Sequence, residues 1–216
     1  MPEYAQVQTY ATCDEHTFTN VVHRYKTALA RIGCRDQRIM TWLTQISWPV
    51  SDDDSFGDIY ASSFVLSPGS PTEIVCAGMD VSLYLNSAVI SLEEQPAWVA
   101  FNLLFDAATL KEHTISIYRA GLGRSLWHIM SELAAMFNEV GVYFTNEWQE
   151  NRSWRAVVEG MGDPWLFDLA IFPRALAKHF EMVPPGFQGT VVESGFGFAQ
   201  SNRWETLPWI EAEQQR

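Results

Sequence analysis

Four carboxylates crowd seven positions of the stretch SWPVSDDDSFGDIY, residues 47–60: Asp52, Asp53, Asp54 and Asp58, with Gly57 among them. Side chains of this type could coordinate a hard cation, do acid/base chemistry, meet a basic partner or keep a loop in water. A helix–loop–helix calcium loop needs oxygen ligands at its positions 1, 3, 5 and 12 and a glycine at 6. Counted from Asp52, positions 1, 3 and 6 fit, as Asp52, Asp54 and Gly57. Position 5 is Phe56 and position 12 is Ser63, so one ligand and the closing bidentate carboxylate are missing. The stretch is therefore not read as a calcium site.

Other chemistry has less to stand on. His16, Asn20 and His23 share one polar helical stripe, and His128 and Glu132 stand four apart on another. Zinc needs three or four converging N, O or S ligands, and neither stripe supplies a third good one nearby. Both read as solvated helix faces. There is no GxSxG elbow for a nucleophilic serine. GLGRS, residues 121–125, lacks the Lys of a phosphate loop and the glycine spacing of a dinucleotide fingerprint, so it reads as a turn before a helix. Cys13, Cys34 and Cys76 are odd in number, widely spaced and without a CxxC pair. They suit reduced thiols better than a disulfide framework or a zinc site. No cofactor, no metal and no enzymatic activity are expected.

Charge and aromatics remain. The formal net charge is −12. A field of that sign repels phosphate backbones and attracts cationic partners, so nucleic acid is not expected as a ligand. Trp148, Trp154, Trp165, Trp204 and Trp209 cluster in the last third. Most are expected in the core, but two of them exposed beside carboxylates would mark a binding face. The longest nearly apolar run, AWVAFNLLF, has nine residues. A membrane span needs about 20. MPEYAQVQTY has neither the basic start nor the apolar run of a signal peptide. A cytoplasmic protein without membrane contact is expected.

The elements that must position these residues are legible in outline. A chain of 216 residues, 47% hydrophobic, fits one core. We expect a single α+β domain over residues 1–210, a flexible tail over 211–216, and a largely antiparallel sheet with an N-terminal helix and several interspersed ones. YAQVQTY alternates as a strand. The segment from Thr12 or Asp14 to Ile32 repeats apolar residues at i, i+3 and i+4, and Gly33 stands where a left-handed residue ends a helix. DQRIMTWLTQI predicts a short second helix. Residues 59–119 break into short runs separated by SPGSP, AGMD and EEQP, the texture of a strand meander that includes EIVCAG, AVISLE and HTISIYRA. AWVAFNLLFDAA leans to strand. SLWHIMSELAAMFN predicts a helix with Ser125 as N-cap. VGVYFTN predicts a strand, RSWRAVVEG a short helix and LFDLAIF another strand. PRALAKHF predicts a helix with Pro173 in its first position. GTVVES and GFGFAQS predict a closing hairpin around Gly195. The end after Trp209 is expected to be loose.

One arrangement resembles a known family. DLAIFPRALAKHFEMVPPGFQGTVVESGFGF runs strand, Pro-Arg helix, Pro-Pro stop and a hairpin with an acidic turn. That order is similar to the C-terminal end of the immunity protein 52 family, antidotes of bacterial polymorphic toxin systems. YAQVQTYATCDEHTFTNVVHRYKTALARI and SLWHIMSELAAMFNEVGVYFTN resemble the same family in element order, so the likeness spans most of the chain. The resemblance implies a non-enzymatic inhibitor that binds one cognate toxin, often a nuclease, with a basic surface. On that reading Asp52, Asp53, Asp54 and Asp58 belong to a docking surface with Phe56 as its apolar contact; the plain alternative is a solvated loop. Two other classes remain open: a small enzyme whose site assembles only in three dimensions, and a phage or secretion-system adaptor. An enzyme calls for a pocket of titratable groups with shifted pKa values. An adaptor calls for a broad apolar self-association patch.

Overall fold

Strand β1 (Tyr4–Cys13) carries no charged side chain on either face, and it lies in the interior of the sheet. A strand buried on both faces must read this way. The computed structural model describes residues 4–33, 40–41, 43–44, 59–60, 64–66, 81–87, 97–110, 117–149 and 151–214. Eight further strands follow: β2 (Ile59–Tyr60), β3 (Phe64–Leu66), β4 (Val81–Ser87), β5 (Ala97–Asp106), β6 (Val142–Asn146), β7 (Leu169–Phe172), β8 (Phe187–Val192) and β9 (Gly195–Gln200). They form one sheet in the order β2-β4-β5-β1-β6-β7-β9-β8, with β3 also on β4. Every described pairing is antiparallel, and β1 matches β5 from Tyr4↔Asp106 to Cys13↔Ala97. The fold is the expected α+β type.

The helices are α1 (Phe18–Ile32), α2 (Ala107–Leu110), α3 (Leu122–Met136), α4 (Arg152–Val158) and α5 (Pro208–Glu213). Alternation along the strands divides the core in two. Val7, Phe101, Phe105, Val142, Phe144, Leu169 and Ile171 share one face with the buried stripes of α1 and α3. Tyr10, Tyr143, Ala170 and Phe172 share the other with Trp154 of α4 and with Trp165, Phe167 and Phe180. Helix α1 buries Phe18, Val21, Val22, Tyr25, Ala28, Leu29 and Ile32, and Gly33 ends it at φ 95°. The Tyr25 ring stacks on Phe101 at 4.3 Å. Arg24 ties α1 to the end of α3: its Nη1 meets Glu139 Oε1 at 2.8 Å, its Nε donates to the Met136 carbonyl, and its guanidinium lies 4.5 Å from the Phe137 ring centre.

Several elements differ from the sequence expectation. Helix α1 begins at Phe18, because Asp14 first folds the chain into a turn: its carboxylate accepts from the backbone N–H groups of His16 and Thr17. PRALAKHF forms a 3-10 helix, Arg174–His179, with Pro173 just outside it. Phe180 then stacks on Phe172 at 3.8 Å, and that contact stops the turn before it can lengthen. Of HTISIYRA, residues 113–116 lie outside the described residues; in the rest Tyr118 donates its N–H to the Arg203 carbonyl. The stretch expected to be loose from 211 onward begins inside α5, which runs to Glu213. Of the predicted second helix, Met40, Thr41, Leu43 and Thr44 are described, and are helical. EIVCAG and AVISLE lie outside the described residues.

Candidate functional site

Asp52, Asp53, Asp54, Phe56 and Asp58 lie outside the described residues. Their chain position is informative all the same. Asp58 immediately precedes β2, the terminal strand of the sheet path. Residues 40–110, which include β2, β3, β4 and β5, hold nine Asp and Glu and no Lys or Arg. Three quarters of the net charge of −12 thus belong to the segment that builds one end of the sheet. The run between Arg38 and Lys111 was readable in the sequence; what was missing was the sheet order that gathers those strands at one end.

Trp148 is the second feature. It is 64% exposed, whereas Trp154, Trp165 and Trp204 are buried and Trp209 packs against Trp127 at 5.4 Å. One of the five clustered tryptophans, not two, is therefore strongly exposed. It sits on a single 3-10 turn, Glu147–Gln149, that continues β6. Asn146 holds that turn at both ends. Its Oδ1 accepts from the Trp148 N–H at 3.0 Å, and its Nδ2 donates to Gln149 Oε1 at 3.1 Å. The side chain of Asn146 replaces the backbone partner that such a turn lacks. The sequence signal was an Asn two places before the Trp.

The remaining charged contacts are structural. Tyr118 donates its hydroxyl to Asp168, whose other oxygen is 3.3 Å from Arg203 Nε. The Asp168 carbonyl accepts from Trp204 Nε1 and from the Gln200 N–H, and the Asp168 N–H donates to Phe144. Burial first, then the charge of Asp168, pushes the Tyr118 hydroxyl well above its ordinary value, so it stays a donor. Tyr143 is raised by burial alone and donates to the Val140 carbonyl at 2.7 Å. Burial, and then Asp14, push the Cys13 thiol up to about 12. The sulfur is held as an unreactive thiol. These groups are packed inside the fold, where they act as struts.

Glu211 of α5 was not foreseen. Its carboxylate accepts from the backbone N–H groups of Gly121 and Arg124 at the start of α3. Ser125 is not the N-cap: the helix begins three residues earlier, and the Ser125 hydroxyl turns to the Gly121 carbonyl. GLGRS does form a turn into a helix, with Gly121 at φ 83°. His16 and His23 lie on α1 or just before it, and His128 and Glu132 on α3, where Glu132 is 4.0 Å from Arg31. Among the described residues no three His, Cys, Asp or Glu side chains gather as a metal site would need. No described helix is long and apolar enough to cross a membrane.

Comparison with protein-family models, with curated proteins and with solved structures yields no match.

Proposed function

We propose that the chain is an immunity protein that neutralises a cognate toxin by direct binding, presenting an acidic end of its sheet to a basic surface. The observation that carries this is the segregation of charge: nine carboxylates and no Lys or Arg in residues 40–110. Carboxylates spread evenly along the chain would serve solubility; concentrated in one segment with no Lys or Arg, they favour a directional field that steers a cationic partner. A nuclease must present cations to phosphates, and those cations are what this end attracts. Asp52, Asp53, Asp54 and Asp58 supply the densest part, and Phe56 the apolar contact among them. The element order quoted above, with its likeness to the immunity protein 52 family, supports the same reading. Trp148 offers the protein an additional anchor of the residue type that dominates interface energetics.

The test is growth rescue. The product of the neighbouring reading frame is expressed with and without the chain, and binding of the two purified proteins is followed by stopped flow. Rescue, with an association rate that falls as salt rises, is the expected result. The triple change Asp52→Lys, Asp53→Lys and Asp54→Lys should slow association at least tenfold at low salt and flatten its salt dependence. Turnover of a small molecule by the pure polypeptide, or rescue without any binding, would sink the proposal.

A further inference from the structure

The end of the sheet opposite to β2 is β8, which among the described residues pairs with β9 on one side only. No described residue pairs with the backbone groups of its other side, and natural proteins blunt such edges with Lys, Pro, bulges or short strands. Strand β2 has two residues, whereas β8 has six, FQGTVV, with no charge and no proline. Its six pairs with β9 run unbroken from Phe187↔Gln200 to Val192↔Gly195, so there is no bulge. The two-residue turn makes Val192 and Gly195 a hydrogen-bonded pair, and alternation then turns the N–H and C=O groups of Gly189 and Val191 away from β9. The Phe187 N–H is already taken by the Pro184 carbonyl. Val191 is 63% exposed.

We propose that β8 pairs antiparallel with β8 of a second copy of this chain, extending the sheet across a two-fold axis. Setting Gly189 opposite Val191 of the second copy satisfies the outward N–H and C=O groups of both residues in both copies. A single register places Thr190 against its own copy on the axis. It also sets a large side chain against a missing one, since Gly189 has no Cβ and the Phe198 ring fills that place, 2.6 Å from where a Cβ would stand. Val191 of the second copy then packs beside that ring.

Charge selects this occupant. Residues 182–200 carry one charged side chain, Glu193. Nothing in that edge attracts a cationic strand, and this is the end where two anionic copies meet at least cost. In the proposed register the two Glu193 carboxylates stand about six residues apart along the strands, roughly 20 Å. That exceeds the Debye length of about 8 Å at physiological salt. Strands β2 to β5, from the segment that holds nine of the carboxylates, lie toward the far ends of the joined sheet. A strand pair alone buries less than about 1,000 Å², so a weak, reversible dimer is expected, with a dissociation constant on the order of 10–100 μM.

Sedimentation of the full chain from 5 to 300 μM tests this. The expected result is a concentration-dependent shift from the 24.5 kDa monomer toward twice that mass. Val191→Pro removes an outward N–H without touching the β9 ladder, so it should leave the circular dichroism unchanged and abolish the shift. Should Val191→Pro misfold, Val191→Lys must abolish the shift instead. Thr190→Cys reports the register, because strand partners that are not hydrogen-bonded lie within disulfide reach. Mild oxidation should give a covalent dimer on non-reducing gels that the wild-type chain does not give. A wild-type chain that stays monomeric to 300 μM overturns the proposal, as does a dimer that persists in both Val191 variants or a Thr190→Cys chain that fails to cross-link.

Discussion

Glu211 caps a helix it does not belong to: its Oε2 accepts the backbone N–H of Arg124 at 2.9 Å, from α5, eighty-seven residues further along the chain. The first N–H groups of a helix have no partner within it, and the helix dipole adds positive charge there. A carboxylate brought in from outside answers both needs, and it fastens the chain's last helix to the core.

Glu211→Ala should therefore cost about 1–2 kcal/mol and lower Tm by roughly 2–8 °C. Gly123→Ala should act through the same contact, because a Cβ at Gly123 would stand 2.7 Å from Glu211 Oε2 and 3.2 Å from Pro208 Cα. The double variant should lose clearly less than the sum of the two. Urea denaturation of the four chains measures this, and strict additivity would show that the two residues do not share one contact.

Tyr118, Asp168 and Arg203 join three parts of the chain around a carboxylate that is almost fully buried. Tyr118→Phe deletes a donor to a buried charge and should cost about 1.5–3 kcal/mol. Arg203→Gln should cost less, since Arg203 is partly exposed and its charge is screened by water. Equilibrium unfolding ranks the two, and the reverse order would shift the weight of the network from the hydroxyl to the ion pair.

The outline of the fold was legible because periodicity survives burial. Phe18 to Ile32, Val142 to Asn146 and the Gly195 hairpin follow local rules that tertiary contacts only reinforce. What escaped was non-local. Ser125 looks like a cap and Glu211 like part of a solvated end, since nothing in either neighbourhood says they meet. Asp168 likewise reads as one carboxylate among many until Tyr118 and Arg203 converge on it. The acidic run was visible in the sequence, but that the strands β2 to β5 of the same segment stand at one end of the sheet depends on strand order, which alternation cannot encode.

The shifted hydroxyls and thiol predict alkaline lability. Unfolded, Cys13 ionises near 9.0; folded, it keeps its proton to about 12. The folded state then binds more protons than the unfolded one, so the stability present below pH 9 falls as pH rises through the window to 12. Tyr118 and Tyr143, both raised above 10.0, extend the loss in the same direction. Urea midpoints at pH 7, 9 and 10.5 should fall in that order, and Cys13→Ala should flatten the first part of the decline. In the native chain at pH 8 the Cys13 thiol should react with a disulfide reagent at least a hundredfold more slowly than in urea. A midpoint that holds steady to pH 10.5 would mean that these groups exchange protons freely with water.

Trp148 separates binding from folding. With 64% of its surface in water, it leaves roughly 150 Å² of mostly apolar area unburied, about 3–4 kcal/mol of hydrophobic free energy unused by the fold. Its turn is held by Asn146 through the Trp148 backbone and Gln149, so the ring itself carries little of the local structure. Trp148→Ala should leave the unfolding free energy within about 0.5 kcal/mol of wild type. If the chain acts as the proposed immunity protein, it should weaken capture of the cognate toxin by at least thirtyfold, mostly through faster dissociation, as a hot-spot anchor does. The Lys changes at Asp52, Asp53 and Asp54 should act instead on the association rate. Titration calorimetry and stopped flow on the two variants distinguish anchor from steering. An unaltered dissociation rate in Trp148→Ala would move the anchor elsewhere on the surface and leave the steering prediction standing.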